Sequence, residues 1–320
     1  MSPFTYHRAT STDDAAARLA GARAVPMGGG TDLLVAIDEG VVAPAQLVDL
    51  RGVPGADAVA LDARGALRIG GAARVHDVAR HPAVLERWPA LAQACEAVGS
   101  PTLRQMGTMG GNLCQRPRCW YFRRGVSCFK NGGDECPAVD GENQYLAVIG
   151  GGPCHAVHPS DPAVALTALE ATVEITSAGG TRTVPIAAFF VPPAEAPERE
   201  TVVGPGEFVS AIGVPAVSAG GVQRYHKLMQ REAWDFALVS IAAVRPAAGG
   251  VRMALGGVAP GPWRVNSSVE EDVASGGLDD DSISALAERA LYDAQPLSKN
   301  GYKIEMAGAL LRQAMRELAT

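Results

Sequence analysis

Five of the six cysteines in this 320-residue chain fall between Cys114 and Cys154. Random placement would rarely bunch them so. In a chain of this size with no expected secretion signal, such a cluster reads as metal ligands before disulfides. Cys119, Cys128, Cys136 and Cys154 are separated by eight, seven and seventeen residues. That is neither the CxxC spacing of a zinc ribbon nor the tight run of a bacterial ferredoxin. A loop wrapped around a cubane tolerates loose spacing, and four thiolates meet the demand of a 4Fe–4S cluster. Zinc, or four thiols without a ligand, are the alternatives. Cys114, five positions before Cys119, competes for a ligand place, whereas Cys95 lies in an apolar helical stretch and reads as core.

Glycines supply the second kind of chemistry. Gly28-Gly29-Gly30-Thr31-Asp32 follows the apolar run AVPM and opens a helical stretch. Glycines let backbone approach a diphosphate without a Cβ clash, and successive N–H groups form an anion nest. The spacing is not GxGxxG, and no lysine follows as in a P-loop; a tight strand–helix turn explains it equally well. Gly107-Thr108-Met109-Gly110-Gly111-Asn112 offers a second nest, with Thr108 and Asn112 as polar arms. A dinucleotide is long enough to be gripped by both.

These segments must be positioned by ordinary elements. Residues 3–55 read as a βαβ unit: a helix from Thr12 to Leu19 after the N-cap Ser11, the strand AVPM, a helix LLVAIDEG and the strand QLVDL. Strands and a turn follow over 57–79, with a helix starting at Val75, and helical periodicity runs from Ala83 to Val98. Residues 99–118 are expected to be neither helix nor strand, because glycines break both. The cysteine-bearing residues 119–154 lack periodicity and need a staple to be ordered. A helix is expected after Pro162, then strands VEITS and TRTVP and a proline-rich stretch, VPPAEAPERE. From Val222 the pattern alternates as antiparallel strands. Amphipathic helices fill the chain from about Asp281. The boundary between two domains is placed near residue 217, at 1–217 and 218–320.

Composition narrows the function. Hydrophobic residues make up 47% and charged residues 19%, a globular balance, and the net charge of −6 with no basic run argues against nucleic acid. No apolar stretch approaches a membrane span. The start, MSPFTYHRATSTDD, has no apolar core or cleavage site, so no signal peptide of its own is expected. The expected compartment is the cytoplasm, or the periplasm if the chain is exported with a signal-bearing partner. No Ser/His/Asp or Cys/His arrangement suggests nucleophilic catalysis.

Together GGGTDLL at 28–34, RQMGTMGGNL at 104–113, HPSDPAVAL at 158–166 and YHKLMQREAWDFALVS at 225–240 resemble the flavin subunit of the xanthine dehydrogenase and carbon monoxide dehydrogenase family, over nearly the whole chain. The resemblance implies an α+β fold. It comprises a two-lobed FAD-binding domain of the vanillyl-alcohol-oxidase-like (PCMH) type, with lobes of about 1–55 and 56–217, and a small C-terminal domain of antiparallel sheet and helices. It implies that Met27, Gly28, Gly29, Gly30, Thr31 and Asp32 cradle the pyrophosphate. Thr108, Gly111 and Asn112 would contact the ribityl and phosphate region. Asp161 would hydrogen-bond a ribityl or ribose hydroxyl, or else cap the helix after Pro162. Lys227 would lie near the flavin ring, where a positive charge stabilises the reduced anion; a solvated strand-face cation is its plainer role. Arg231 is the other candidate, or a partner for Asp235 across the sheet.

A branch of the family carries a 4Fe–4S cluster on this subunit, as in 4-hydroxybenzoyl-CoA reductases and certain three-subunit bacterial aldehyde oxidoreductases. The text around the cysteines is similar to the aldehyde type, which implies Cys119, Cys128, Cys136 and Cys154 as ligands in the loop 114–155. His155 and His158 read as loop histidines bonded to backbone. Arg116, Arg118, Arg123, Arg124 and Lys130 would offset a negative cluster or form a docking face for an acidic partner. Trp120, Tyr121 and Phe122 would shield the cluster or simply pack. The implied partners are a small 2Fe–2S subunit and a large subunit with the molybdenum cofactor. Electrons would arrive from the 2Fe–2S clusters and leave FAD for ferredoxin, a quinone, NAD or oxygen. Aldehydes are the first expected substrates, N-heteroaromatics the second, and a 4-hydroxybenzoyl-CoA reductase subunit the third reading. A stand-alone flavin oxidase and a zinc-stapled scaffold are the readings from other classes.

Overall fold

The computed structural model describes residues 3–231 and 233–319. Strands β1 (Thr5–Arg8), β2 (Ala24–Met27) and β3 (Gln46–Asp49) form a parallel sheet in the order β1-β3-β2. The helix Thr12–Leu19 makes the first crossover, and the Ser11 hydroxyl caps it by accepting from Asp14 N. Its buried Ala15, Ala16 and Leu19 pack on Val48 and on Phe208 of a later strand. The second crossover holds the glycine turn and the helix Leu33–Asp38.

Strands β4 (Val59–Leu61), β5 (Leu67–Gly70), β6 (Thr172–Ser177), β7 (Gly180–Pro185) and β8 (Phe208–Val214) build an antiparallel sheet, β4-β5-β8-β6-β7. Helices Val75–Arg80 and Pro89–Glu96 share its core. The helix Asp161–Ala168 is buried at every position. A helix apolar all round must be enclosed on all sides, and this one lies in the core shared by the second sheet and the third.

The third sheet is antiparallel, in the order β12-β11-β10-β9, from β9 (Val222–Leu228), β10 (Val239–Arg245), β11 (Arg252–Gly256) and β12 (Trp263–Arg264). Period-2 alternation along β10 sends Ala242 and Val244 to the core around Asp161–Ala168. Val239, Ile241 and Ala243 face the other way, toward the helices Ser267–Ser275, Asp280–Ala290 and Tyr302–Ala319. The first of these begins earlier than the expected start near Asp281. Among the described residues no helix is long and apolar enough to cross a membrane.

The glycine-rich stretch 99–118 departs from expectation. It contains two short helices, Pro101–Met106 and Met109–Leu113. Ser100 caps the first and Thr108 the second, and Pro101 pre-sets the first turn. A glycine costs a helix about 1 kcal/mol, and packing overrides it here. A Cβ on Gly110 would lie only 2.9 Å from the Gly71 carbonyl oxygen.

Candidate functional site

The two glycine segments touch each other. The second is tied to the turn after β5: Val75 N donates to Gly107 O (2.9 Å), Met109 N to Ala73 O (2.8 Å) and Gly110 N to Gly71 O (2.8 Å). The first lies directly against it. A Cβ on Gly28 would fall on the Thr108 hydroxyl, and one on Gly29 would fall on the Met106 carbonyl. Gly30 has φ +74°, the left-handed region that L side chains avoid. Glycine at 28 and 29 is therefore required by loop-on-loop contact before any ligand is considered.

The paired loops form the floor of an open cleft of ≈ 1330 Å³, whose walls include Asp161, Lys227, Arg116 and Phe236. The groove continues both ways. One arm runs past Gly71, Gly110 and Phe208. The other runs past Ser160, Trp120 and Tyr145. The glycine loops thus sit midway along a groove that suits an extended ligand with its diphosphate in the centre. Gly28–Asp32, Thr108, Gly111, Asn112, Asp161 and Lys227 all line the central cleft. Met27 does not: its side chain joins Ile37 and Leu47 in a small core beside the glycine turn. Thr108 is 2% exposed, and its hydroxyl is engaged by Gly111 N at 3.3 Å.

Asp161 and Lys227 are partners. Lys227 Nζ donates to Asp161 Oδ2 at 2.8 Å and to Ala97 O at 2.9 Å, and Tyr225 Oη donates to Asp161 Oδ1 at 2.6 Å. Both charged side chains are buried, at 6% and 4% exposure. Burial raises the Asp161 pKa, while Lys227 and then Tyr225 oppose that rise. Lys227 is therefore neither a solvated cation nor an unpaired one; its charge is matched at the cleft wall. Nor is Asp161 the helix cap: the Ser160 hydroxyl accepts from Ala163 N at 3.1 Å, and donates to Asn112 Oδ1 at 2.5 Å. The Arg231–Asp235 pair forms (3.0 Å), but within the connection from β9 to β10 rather than across the sheet.

Asp32 has an unexpected role. Its carboxylate accepts from Arg116 N (2.8 Å) and Arg123 Nη2 (2.7 Å) and pairs with Arg118 (3.0 Å). Arg116 also pairs with Glu200 (2.8 Å), which takes Lys130 Nζ at 2.8 Å. Four of the five cations of the insert are ion-paired in this way; Arg124 alone among them is exposed.

Cys119, Cys128, Cys136 and Cys154 line one small cavity, together with Tyr121, Phe122 and Lys130. Cys114 lies elsewhere, on the groove floored by the glycine loops, where burial pushes its thiol up to about 12. Cys95 is core, 3.9 Å from the Met109 sulfur. Among the described residues no three His, Cys, Asp or Glu side chains converge tightly enough for a single ion. Four cysteines around one cavity offer the all-sulfur donor set that a 4Fe–4S cluster takes. Burial raises the thiol pKa of Cys119 and Cys154, and the charge of Lys130 opposes this at Cys154. Trp120 turns away, 45% exposed, and meets Tyr145 edge-on at 5.5 Å. His158 Nδ1 accepts weakly from Ser160 N (3.4 Å).

The sequence reading missed Tyr225, Glu200 and the Asp32 cations. Tyr225 had a signal: two residues before Lys227 on one strand, it shares that residue's face. The others had none, since Asp32 and Arg123 are 91 positions apart.

Residues 2–217 match the family described as the FAD binding domain in molybdopterin dehydrogenase, and residues 224–318 match the CO dehydrogenase flavoprotein C-terminal domain. The chain belongs to the FAD-binding medium-subunit family of the xanthine dehydrogenase and CO dehydrogenase type. It is 36% identical to the aldehyde oxidoreductase FAD-binding subunit PaoB of Escherichia coli, over 99% of this chain and 98% of that one. It is 27% identical to the glyceraldehyde dehydrogenase medium chain of Sulfolobus acidocaldarius, over 99% and 98%. The fold also superposes on carbon monoxide dehydrogenase from Hydrogenophaga pseudoflava, with TM-score 0.76 at 24% identity, covering 99% of this chain and 98% of that one. The α+β architecture expected from sequence is the one found.

Proposed function

We propose that this chain is the FAD-binding electron-transfer subunit of a molybdenum-cofactor hydroxylase that oxidises aldehydes to carboxylic acids, and that it carries its own 4Fe–4S cluster. The observation that carries the reading is the groove centred on two interlocked glycine loops, with a four-cysteine cavity on the insert that leads away from it. The aldehyde assignment is supported by the names of the two relatives, an aldehyde oxidoreductase subunit and a glyceraldehyde dehydrogenase chain.

Bound FAD supplies hydride and single-electron chemistry, and the cluster supplies single-electron transfer. The chain's residues do the positioning. Gly28–Gly30, Thr31 and the Thr108–Asn112 turn would hold the diphosphate and its neighbours, with Met27 packed beside the glycine turn. Lys227 and Asp161 would present a matched pair beside the ligand, so that any change in charge there disturbs an existing balance. Cys119, Cys128, Cys136 and Cys154 would ligate the cluster. The domains are taken as 1–217 and 218–320. The partners would be a small 2Fe–2S subunit and a large molybdenum subunit, with an acceptor such as ferredoxin, quinone, NAD or oxygen. The compartment would be the cytoplasm, or the periplasm after export with a partner.

The chain purified without oxygen should show flavin bands and iron at about four atoms per chain. Cys128→Ser should lose most of that iron. Unchanged iron in this variant would discard the ligand set, and a colourless wild-type chain that refuses added FAD would discard the function.

A further inference from the structure

The glycine loop and the cysteine insert are joined by charge. Asp32 directly follows Thr31, and its carboxylate, 17% exposed, holds Arg116 N, Arg123 and Arg118 at 2.8, 2.7 and 3.0 Å. Arg123 ends the four-residue helix that begins just after Cys119, and its side chain is 8% exposed. On the other wall of the groove Glu200 clamps the Arg116 side chain and Lys130. Lys130 also lines the cysteine cavity. Cys119 and Cys128 thus each lead within a few residues to a buried cation fastened to a wall of the diphosphate groove.

We propose that these contacts make occupancy of the two sites interdependent, so that FAD binds more tightly when the cysteine cavity is filled. Asp32 and Arg123 are positioning residues for FAD that act through the insert. The inference rests on the cluster reading above. An insert without hydrophobic periodicity gains part of its order from what it binds, beyond the ion pairs that hold it, because metal binding adds folding energy. Once ordered, the insert presents Arg123 and the Arg116 amide to Asp32 at fixed distances, and Asp32 holds the end of the glycine turn. Linkage makes the effect reciprocal: FAD strengthens retention of the cluster by the same factor.

The test uses the full-length chain prepared without oxygen, stripped of flavin and titrated with FAD by fluorescence, with iron measured on each sample. Cys128→Ser should lose iron and bind FAD about tenfold more weakly, within the usual range of site–site coupling. Asp32→Asn should weaken FAD to a similar extent while keeping its iron. The double variant should be no weaker than either single one, which loss of two independent structural contacts would not produce. Arg123→Lys should retain most of the affinity. If Cys128→Ser does not fold, iron removal from the wild type by chelation supplies the cluster-free sample. Equal FAD affinity with and without the cluster would overturn the coupling and leave the cluster reading intact. A double variant about a hundredfold weaker would overturn the route through Asp32. A wild-type chain without iron would overturn the cluster reading, and the coupling with it.

Discussion

The glycine cradle and the cysteine insert are both irregular backbone, and they are held by opposite means. In the cradle, glycine backbone packs on the neighbouring loop: Gly28 presses on the Thr108 side chain and Gly29 on the Met106 main chain, so closely that no Cβ fits. In the insert, side-chain charge does the holding, through Asp32, Glu200 and the cations that meet them. A surface made of backbone suits a diphosphate, which needs close approach and N–H donors. The proposed set of four thiolates would need reach and compensating positive charge, which long cationic side chains provide. The two devices should therefore fail differently: the cradle through volume, the insert and its neighbours through lost charge partners.

The largest effect is expected where volume decides. Gly29→Ala places a methyl on the Met106 carbonyl, and backbone cannot move aside as a side chain can. We expect a loss of at least about 3 kcal/mol in stability, with FAD binding abolished. Thermal melting and flavin absorbance check this together. A variant with normal melting and full flavin would show that the loops separate easily, and would end the contrast with the insert.

The next effect tests charge in a buried place. Lys227→Met strands the Asp161 carboxylate with Tyr225 alone, and breaking one side of a buried pair costs about 3–5 kcal/mol. Adding Asp161→Asn removes the stranded charge and should restore most of the stability. Denaturant melts of the two single variants and the double variant measure the coupling. If the double is as unstable as Lys227→Met, the site depends on packing, like the cradle.

Much of this layout was legible in the sequence, for reasons local to each element. The first helix starts at Thr12 because Ser11 caps it, and β10 falls in the stretch from Val222 expected as antiparallel strands, although its apolar residues lie on both faces. The grouping of Cys119, Cys128, Cys136 and Cys154 came from the family resemblance, with Cys114 left competing on spacing alone; in the fold these four line one cavity, with Cys95 and Cys114 elsewhere. The short helices around Gly107 were not legible, since propensity argues against them and only tertiary contact with Gly71 explains Gly110. Met27 was given to the cradle by the resemblance, but its side chain packs with Ile37 and Leu47. The Asp32 network was invisible because charge pairing over long sequence separations leaves no periodic trace.

The smallest effect is read from pH, at the seam between the two devices. His158 lies four residues past Cys154 and lines the arm of the groove beside Trp120. Burial holds its pKa down at about 3, with Arg118 and Lys130 adding to that and a backbone hydrogen bond with Leu113, then Asp32, opposing it. The unfolded chain takes the proton near pH 6.5, so between 6.5 and 3 the unfolded state binds more protons than the folded one. The stability contributed by the neutral ring is complete above pH 6.5 and drains away as the pH falls through that window, by about 2 kcal/mol at pH 5. His158→Gln should be less sensitive to acid than the wild type by that amount, whatever its offset at neutral pH, when denaturant melts at pH 7.5 and pH 5 are compared. Parallel pH dependence in the two proteins would mean that the ring is protonated in the folded chain and that water reaches this seam. Charge at the insert would then be screened, and the division between a backbone-built cradle and a charge-built insert would lose its physical basis.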